Sequence, residues 1–173
     1  MITKDNIKSI MPLASASNIE KYCQPLNEAM ERFDINTPKR IQAFLAQVAH
    51  ESQSFLYSKE LASGQAYEGR KDLGNINPGD GIKFKGRGLI QITGRFNYEK
   101  LSTVFGQDFI NHPELLEGPV WASMSASWFW KIKGLNEIAD HEDFLLITKR
   151  INGGLNGLAD RHEFYERAKE VIT

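Results

Sequence analysis

A single cysteine, Cys23, occurs in the 173 residues, so neither an internal disulfide nor a thiolate metal centre can form, and folding in a reducing compartment suits the chain. Charge of one sign is equally scarce. The 21 Lys and Arg are offset by 22 Asp and Glu, leaving a formal net charge of -1, which supplies no overall field for nucleic acid or an anionic surface. No long apolar run is present. The first twelve residues mix Lys4, Asp5 and Lys8 with scattered isoleucines, which excludes a signal h-region or a membrane span there. Internal repeats, low-complexity tracts and linkers are also absent. One domain over residues 1–173, large enough to bury a real core, is therefore expected.

Two catalytic signatures are missing as well. His50-Glu51 begins like the zinc-protease motif His-Glu-x-x-His, but position 54 is Ser54, so the second helical ligand is lost. His112, His141 and His162 have no ligand spacing, and no Gly-x-Ser-x-Gly elbow exists for a serine hydrolase. Neither a metal nor another cofactor is expected.

What is present is mostly helical period. Thr3 is placed to cap a short helix with Ile7, Ile10 and Met11 inward, stopped by Pro12. Ser17-Asn18-Ile19-Glu20 reads as a capping box ahead of a stripe of Ile19, Tyr22, Cys23, Leu26, Met30 and Phe33. Cys23 lies in that stripe and reads as a buried spectator thiol. Thr37-Pro38 opens a third helix with Ile41, Phe44, Leu45 and Val48 on its apolar face. From Ser63 to Gly88 helical period disappears, and half of the fourteen glycines fall there. Such a segment lines or closes a site more often than it merely connects. Leu89 to Thr93 reads as a short buried stretch which, if extended, puts Gln91 and Thr93 on one side. Later helices carry Trp121, Met124, Trp128 and Ile132 on one face, with Trp130 off the stripe and freer. Asp140 and Asp160 are placed to cap two more. A mainly α fold follows, with about seven helices, at most a small hairpin, and a division into two lobes around a cleft.

Two carboxylates nine positions apart give this layout a chemistry. Glu51 follows Val48 by three residues and Phe44 by seven, so it points inward on the flank of an apolar face, where desolvation favours the protonated acid. Glu60 lies beyond the helix in a polar segment and is expected to stay ionised. Carboxyls whose surroundings push them apart in acidity suit acid/base work, glycoside hydrolysis above all. An inward Glu held by a neighbouring Arg or Lys as a structural ion pair is the competing reading. Residues 69–95 add six basic side chains, Arg70, Lys71, Lys83, Lys85, Arg87 and Arg95, against two aspartates, with Phe84 and Phe96 interleaved. Those would suit a single nucleic-acid strand, but equally the acidic and amide groups of a cell-wall polymer.

The segments Ala49-His50-Glu51, Gly86-Arg87-Gly88-Leu89-Ile90-Gln91-Ile92-Thr93-Gly94-Arg95-Phe96-Asn97-Tyr98 and Ile151-Asn152-Gly153-Gly154 resemble the signatures of glycoside hydrolase family 19, which holds plant-type chitinases and lysozyme-like phage endolysins. The likeness runs over residues 38–168, and the Asp160-Arg161 pair and the absence of disulfides bring it nearer the endolysin branch. It implies a lysozyme-like fold, a single catalytic domain without a separate wall-binding module, and inverting hydrolysis of a β-1,4 bond beside N-acetylated sugars. By the same likeness Glu51 matches the general acid and Glu60 the general base. Thr93 matches the residue that helps hold the water, and His50, Gln91, Asn97, Asn152 and Arg161 fall in the substrate cleft. The function expected is a monomeric endolysin acting on the peptidoglycan glycan strand, made in a bacterial cytoplasm without a signal peptide and released to the periplasm with a holin as candidate partner. A chitinase is the alternative, and a non-catalytic wall-binding protein the alternative of another class. No nucleic-acid partner and no stable membrane insertion are expected.

Overall fold

The computed structural model describes residues 1–173 as nine α-helices joined by turns and three 3-10 segments. The helices are α1 (Lys4–Ile10), α2 (Ala16–Arg32), α3 (Pro38–Glu51), α4 (Asp80–Lys83), α5 (Arg95–Phe105), α6 (Pro119–Ile132), α7 (Leu135–Asp140), α8 (Phe144–Asn152) and α9 (Leu158–Val171). The fold is mainly helical, as the periodicity predicts. In place of the small hairpin, β pairing is confined to the isolated bridges Lys59–Arg87 and Arg87–Ile92. No helix is long and apolar enough to cross a membrane.

Helix ends follow local chemistry. Thr3 caps α1 by accepting the Asn6 amide at 3.1 Å, and Thr37 caps α3 with Pro38 in its first turn. Other caps fall elsewhere than the sequence suggests. Ser15 caps α2 by accepting the Asn18 amide, ahead of the predicted box at Ser17. Asp143 caps α8, because the predicted Asp140 is drawn away into a two-pronged pair with Arg40 at 2.6 and 2.8 Å. Gly157 precedes α9, which releases Asp160 from capping.

Two hydrophobic cores give the molecule its lobes. The larger gathers 30 buried residues around α3, and the smaller comprises Phe84, Ile92, Tyr98, Leu101, Phe109, Leu116 and Trp128. Helix α6 serves both. Residues two apart on a helix point in nearly opposite directions, so Trp128 enters the smaller core while Trp130 enters the larger. Trp130 is therefore the reverse of free: fully buried, it donates its indole N–H to Asn136 at 2.9 Å and meets Phe44 edge-on. Ile132, expected inward, is instead 52% exposed at the helix end.

Helix α3 is enclosed on every side from Ile41 to Ala49, packing most extensively on α9. Its single predicted apolar face becomes a buried cylinder, so its glutamines must find partners inside the protein. Gln42 donates to the Ile172 carbonyl at 2.8 Å. Gln47 lies at 0% exposure and faces α8 and α9.

Candidate active site

The last two residues of α3 meet two consecutive residues of the first turn of α9. His50 Nδ1 lies 2.6 Å from Asp160 Oδ2, and Glu51 Oε1 lies 2.7 Å from Arg161 Nη2. The setting of Glu51 thus differs from the apolar flank that its spacing predicts. A buried guanidinium stands against it, and the ion-pair reading of the sequence is realised in the same residue. Arg161 is held on three sides. Besides Glu51, its Nη1 donates to Gln47 Oε1 at 2.5 Å and its Nε to the Asn156 carbonyl at 3.2 Å. The loop that brings Asn156 in must pass over the imidazole of His50. At Gly157, with φ +71°, an added Cβ would stand 2.2 Å from His50 Cε1, so only glycine permits the approach.

Between Glu51 and Glu60 the chain makes an uncommon turn. Gln53, Ser54 and Phe55 adopt positive φ of 48°, 56° and 67° in succession, a conformation costing L-residues about 1–2 kcal/mol each. Neighbours impose it. Ser52 Oγ donates to the Val48 carbonyl at 2.7 Å and accepts the Phe55 amide at 3.0 Å, and Asn18 of α2 donates to the Phe55 carbonyl at 3.1 Å. The Phe55 ring, 3% exposed, stacks on Tyr22 with centroids 4.8 Å apart.

Beyond the turn, residues 58–60 lie along residues 86–88. Gly88 N–H donates to the Ser58 carbonyl at 2.8 Å and Glu60 N–H to the Gly86 carbonyl at 2.9 Å. The Glu60 side chain accepts the Tyr67 hydroxyl on Oε2 at 2.9 Å, while Oε1 is buried without a partner in the protein. Gly86 makes room for it. A Cβ there would stand 2.8 Å from Gln91 Oε1 and 3.1 Å from Glu60 Oε2, so the Gln91 carboxamide and the Glu60 carboxylate share the space above that glycine. Glu117 ties the strip down, taking Lys59 at 3.1 Å and Arg87 at 2.8 Å.

Leu89 to Thr93 is a compact turn closed by reciprocal Arg87 and Ile92 backbone bonds of 2.8 and 3.1 Å, rather than an extended stretch. Gln91 reaches Glu60 through this turn and not through strand alternation. Thr93 lies half-buried, its carbonyl accepting Asn97 Nδ2 at 2.8 Å. Asn152, at the end of α8, presents a buried Oδ1 with no partner. Tyr67, Gln47 and Thr148 belong to the neighbourhood but escape sequence reasoning. None sits in a catalytic pattern, though a glutamine in the middle of the apolar α3 run was the available signal for Gln47.

The basic residues of the glycine-rich segment are mostly engaged within the protein, which leaves few of them to grip either a nucleic-acid strand or a wall polymer. Arg70 pairs with Asp72, Arg87 with Glu117 and Arg95 with Asp80, while Lys85 reaches the Ala62 carbonyl. Phe84 is wholly buried under Arg95, which removes it as a stacking surface for a nucleic-acid strand.

The family model described as chitinase class I, glycoside hydrolase 19, matches residues 27–143. A Haemophilus influenzae protein described as glycosyl hydrolase family 19 domain-containing is 30% identical, the alignment covering 95% of this chain and 94% of its own. An Arabidopsis thaliana endochitinase is 36% identical over 67% of this chain, which spans 40% of that relative's length. Among solved structures, chitinase C from Streptomyces griseus superposes with a TM-score of 0.80 at 22% identity, over 99% of this chain and 76% of its own. The class IV chitinase of Zea mays gives 0.75 at 22% identity, over 98% and 91% of the two chains. The two solved structures share the helical fold, and by the family model and the bacterial relative the chain belongs to glycoside hydrolase family 19, whose members hydrolyse glycosidic bonds.

Proposed function

We propose that the chain hydrolyses β-1,4-linked polymers of N-acetylglucosamine with inversion, Glu51 acting as general acid and Glu60 as general base. The observation that carries this reading is the orphaned Oε1 of Glu60, a buried acceptor whose sister oxygen is already held by Tyr67. A buried carboxylate oxygen needs a donor, and a water placed there by Gln91 and Thr93 would supply one. Glu60 takes the proton of that water as it attacks the anomeric carbon. On the opposite face Glu51, engaged by Arg161 through Oε1, gives its proton to the departing glycosidic oxygen from Oε2. An inverting reaction leaves about 6.5–9.5 Å between the carboxyls for sugar and water together, and the product emerges as the α-anomer. Asn152 Oδ1, also buried and unpartnered, is suited to an N–H donor such as a sugar acetamido group.

Chitin is preferred to peptidoglycan on two grounds. The plant and Streptomyces relatives are named chitinases. The arginines best placed to meet the carboxylates of an acidic wall polymer are consumed by Asp72, Asp80 and Glu117. The wall-directed endolysin reading stands second, favoured by the bacterial relative that matches over nearly its whole length. On that reading the enzyme is made in a bacterial cytoplasm and reaches the wall through a holin.

Incubation with colloidal chitin beside purified peptidoglycan separates the two, with proton NMR of the nascent reducing ends. The reading expects chitin turnover releasing α-anomer and none from Glu51→Gln. Release of β-anomer, or full turnover by Glu51→Gln, overturns the mechanism, and turnover of peptidoglycan alone transfers it to the wall.

A further inference from the structure

We infer that Gln47 and Thr148 are positioning residues for Glu51, acting through Arg161, and that the neutrality of Gln47 sets how much of the Arg161 charge reaches that carboxylate. The inference rests on the reading of Glu51 as the acid. Gln47 lies one helical turn before Glu51 on α3 at 0% exposure, and Thr148 of α8 is equally buried. Packing alone at such a position is served by leucine, whereas a buried carboxamide costs free energy unless each polar atom is bonded. Both atoms of this one are. Gln47 Oε1 accepts Arg161 Nη1 at 2.5 Å and Nε2 donates to Thr148 Oγ1 at 3.0 Å.

The direction of the amide follows from what its neighbours can offer. A guanidinium carries donors only, so the oxygen of Gln47 must face it and the NH2 must face away. Thr148 supplies the acceptor on that far side. With Nη1 on Gln47, Nε on the Asn156 carbonyl and Nη2 on Glu51, the guanidinium plane has one orientation, and an otherwise flexible side chain becomes a fixed wall behind the carboxylate. Because the Gln47 oxygen carries no formal charge, the Glu51 carboxyl is the one ionisable partner among these three contacts. Glutamate at 47 has nearly the same shape but divides the cation between two carboxylates and adds an anion beside Glu51, which favours the protonated form of the acid.

The test measures kcat against pH for Gln47→Glu, Thr148→Val and Thr148→Ser on a chitin oligosaccharide, with thermal unfolding of each variant. In Gln47→Glu the alkaline limb of the profile moves up by about one pH unit, with KM nearly unchanged. Thr148→Val, which orphans the Gln47 amide, lowers kcat several-fold, and Thr148→Ser, which keeps the acceptor, restores it. Two folded variants, Gln47→Glu and Thr148→Val, that keep the parental profile and kcat overturn the inference. If Gln47→Glu does not fold, the valine and serine pair decides it alone. Retained turnover in Glu51→Gln condemns the assignment of the acid instead, so the two failures are told apart.

Discussion

The Tyr67 hydroxyl donates to Oε2 of Glu60 at 2.9 Å, tying a 3-10 segment of the glycine-rich region to the carboxylate proposed as the base. Burial raises the Tyr67 phenol above its ordinary value, and the Glu60 bond raises it further, so the proton stays on the tyrosine. Tyr67→Phe removes a hydrogen bond worth about 0.5–1.5 kcal/mol and frees the Glu60 side chain to rotate. A three- to tenfold fall in kcat with little change in KM is expected from initial-rate kinetics on chitin oligosaccharides. Equal kcat in the two proteins would show that the contact has no part in the reaction.

Gly157→Ala tests the crossing over His50. The substitution meets a left-handed φ of +71° and a 2.2 Å approach to the imidazole, so both loop and ring must move. Destabilisation by about 1–2 kcal/mol is expected in urea unfolding, accompanied by loss of the His50–Asp160 contact in a structure of the variant. An unchanged midpoint would mean that the loop has slack.

Ser52→Ala addresses the left-handed turn. Its hydroxyl both caps α3 and holds the Phe55 amide, so alanine leaves three positive-φ residues with one support fewer. We expect a loss of about 1 kcal/mol by thermal unfolding and a lowered kcat, because the turn is the covalent link between Glu51 and Glu60. Ser52→Thr should recover most of both. Stability loss with unaltered kcat would confine the turn to a structural role.

Acid sensitivity should reside in part at Asp80. The hydrogen bond from Arg95 holds its carboxyl below the ordinary value, burial opposes this, and the Asn77 amide assists. A folded-state value below the unfolded one, about 3.9, means stabilisation that is complete above about pH 4 and lost as pH falls through the folded value. Asp80→Asn should cost about 1.5–3 kcal/mol at pH 7, since it leaves Arg95 only its longer 3.9 Å contact with Glu99, and should flatten the decline of unfolding temperature below pH 4. A variant whose acid limb parallels the parent's would place the sensitivity elsewhere.

Local chemistry explains what the amino-acid order could reveal. Caps such as Thr3 and Thr37, and the 3.6-residue stripe from Ile19 to Met30, act within one or two turns of chain, so they read directly as α1, α2 and the start of α3. Asp140 and Asp160 also look like caps, but each has a partner far along the chain, Arg40 and His50, that outcompetes the nearby amides. Trp130 misleads for a related reason. An apolar stripe marks one buried face, and α6 has two because it stands between two cores.

For the site, sequence alone determined that two glutamates bracket the segment that follows α3 and that a glycine-rich run without helical period comes after it, since both depend on neighbours along the chain. Tertiary structure decided what surrounds them. Arg161 stands 110 positions from Glu51, and Gln47 and Thr148, 101 positions apart, acquire roles only when helices from distant parts of the chain close on one another. Electrostatics and hydrogen bonds act through space over a few ångströms, and the order of residues fixes such distances only after every helix has packed.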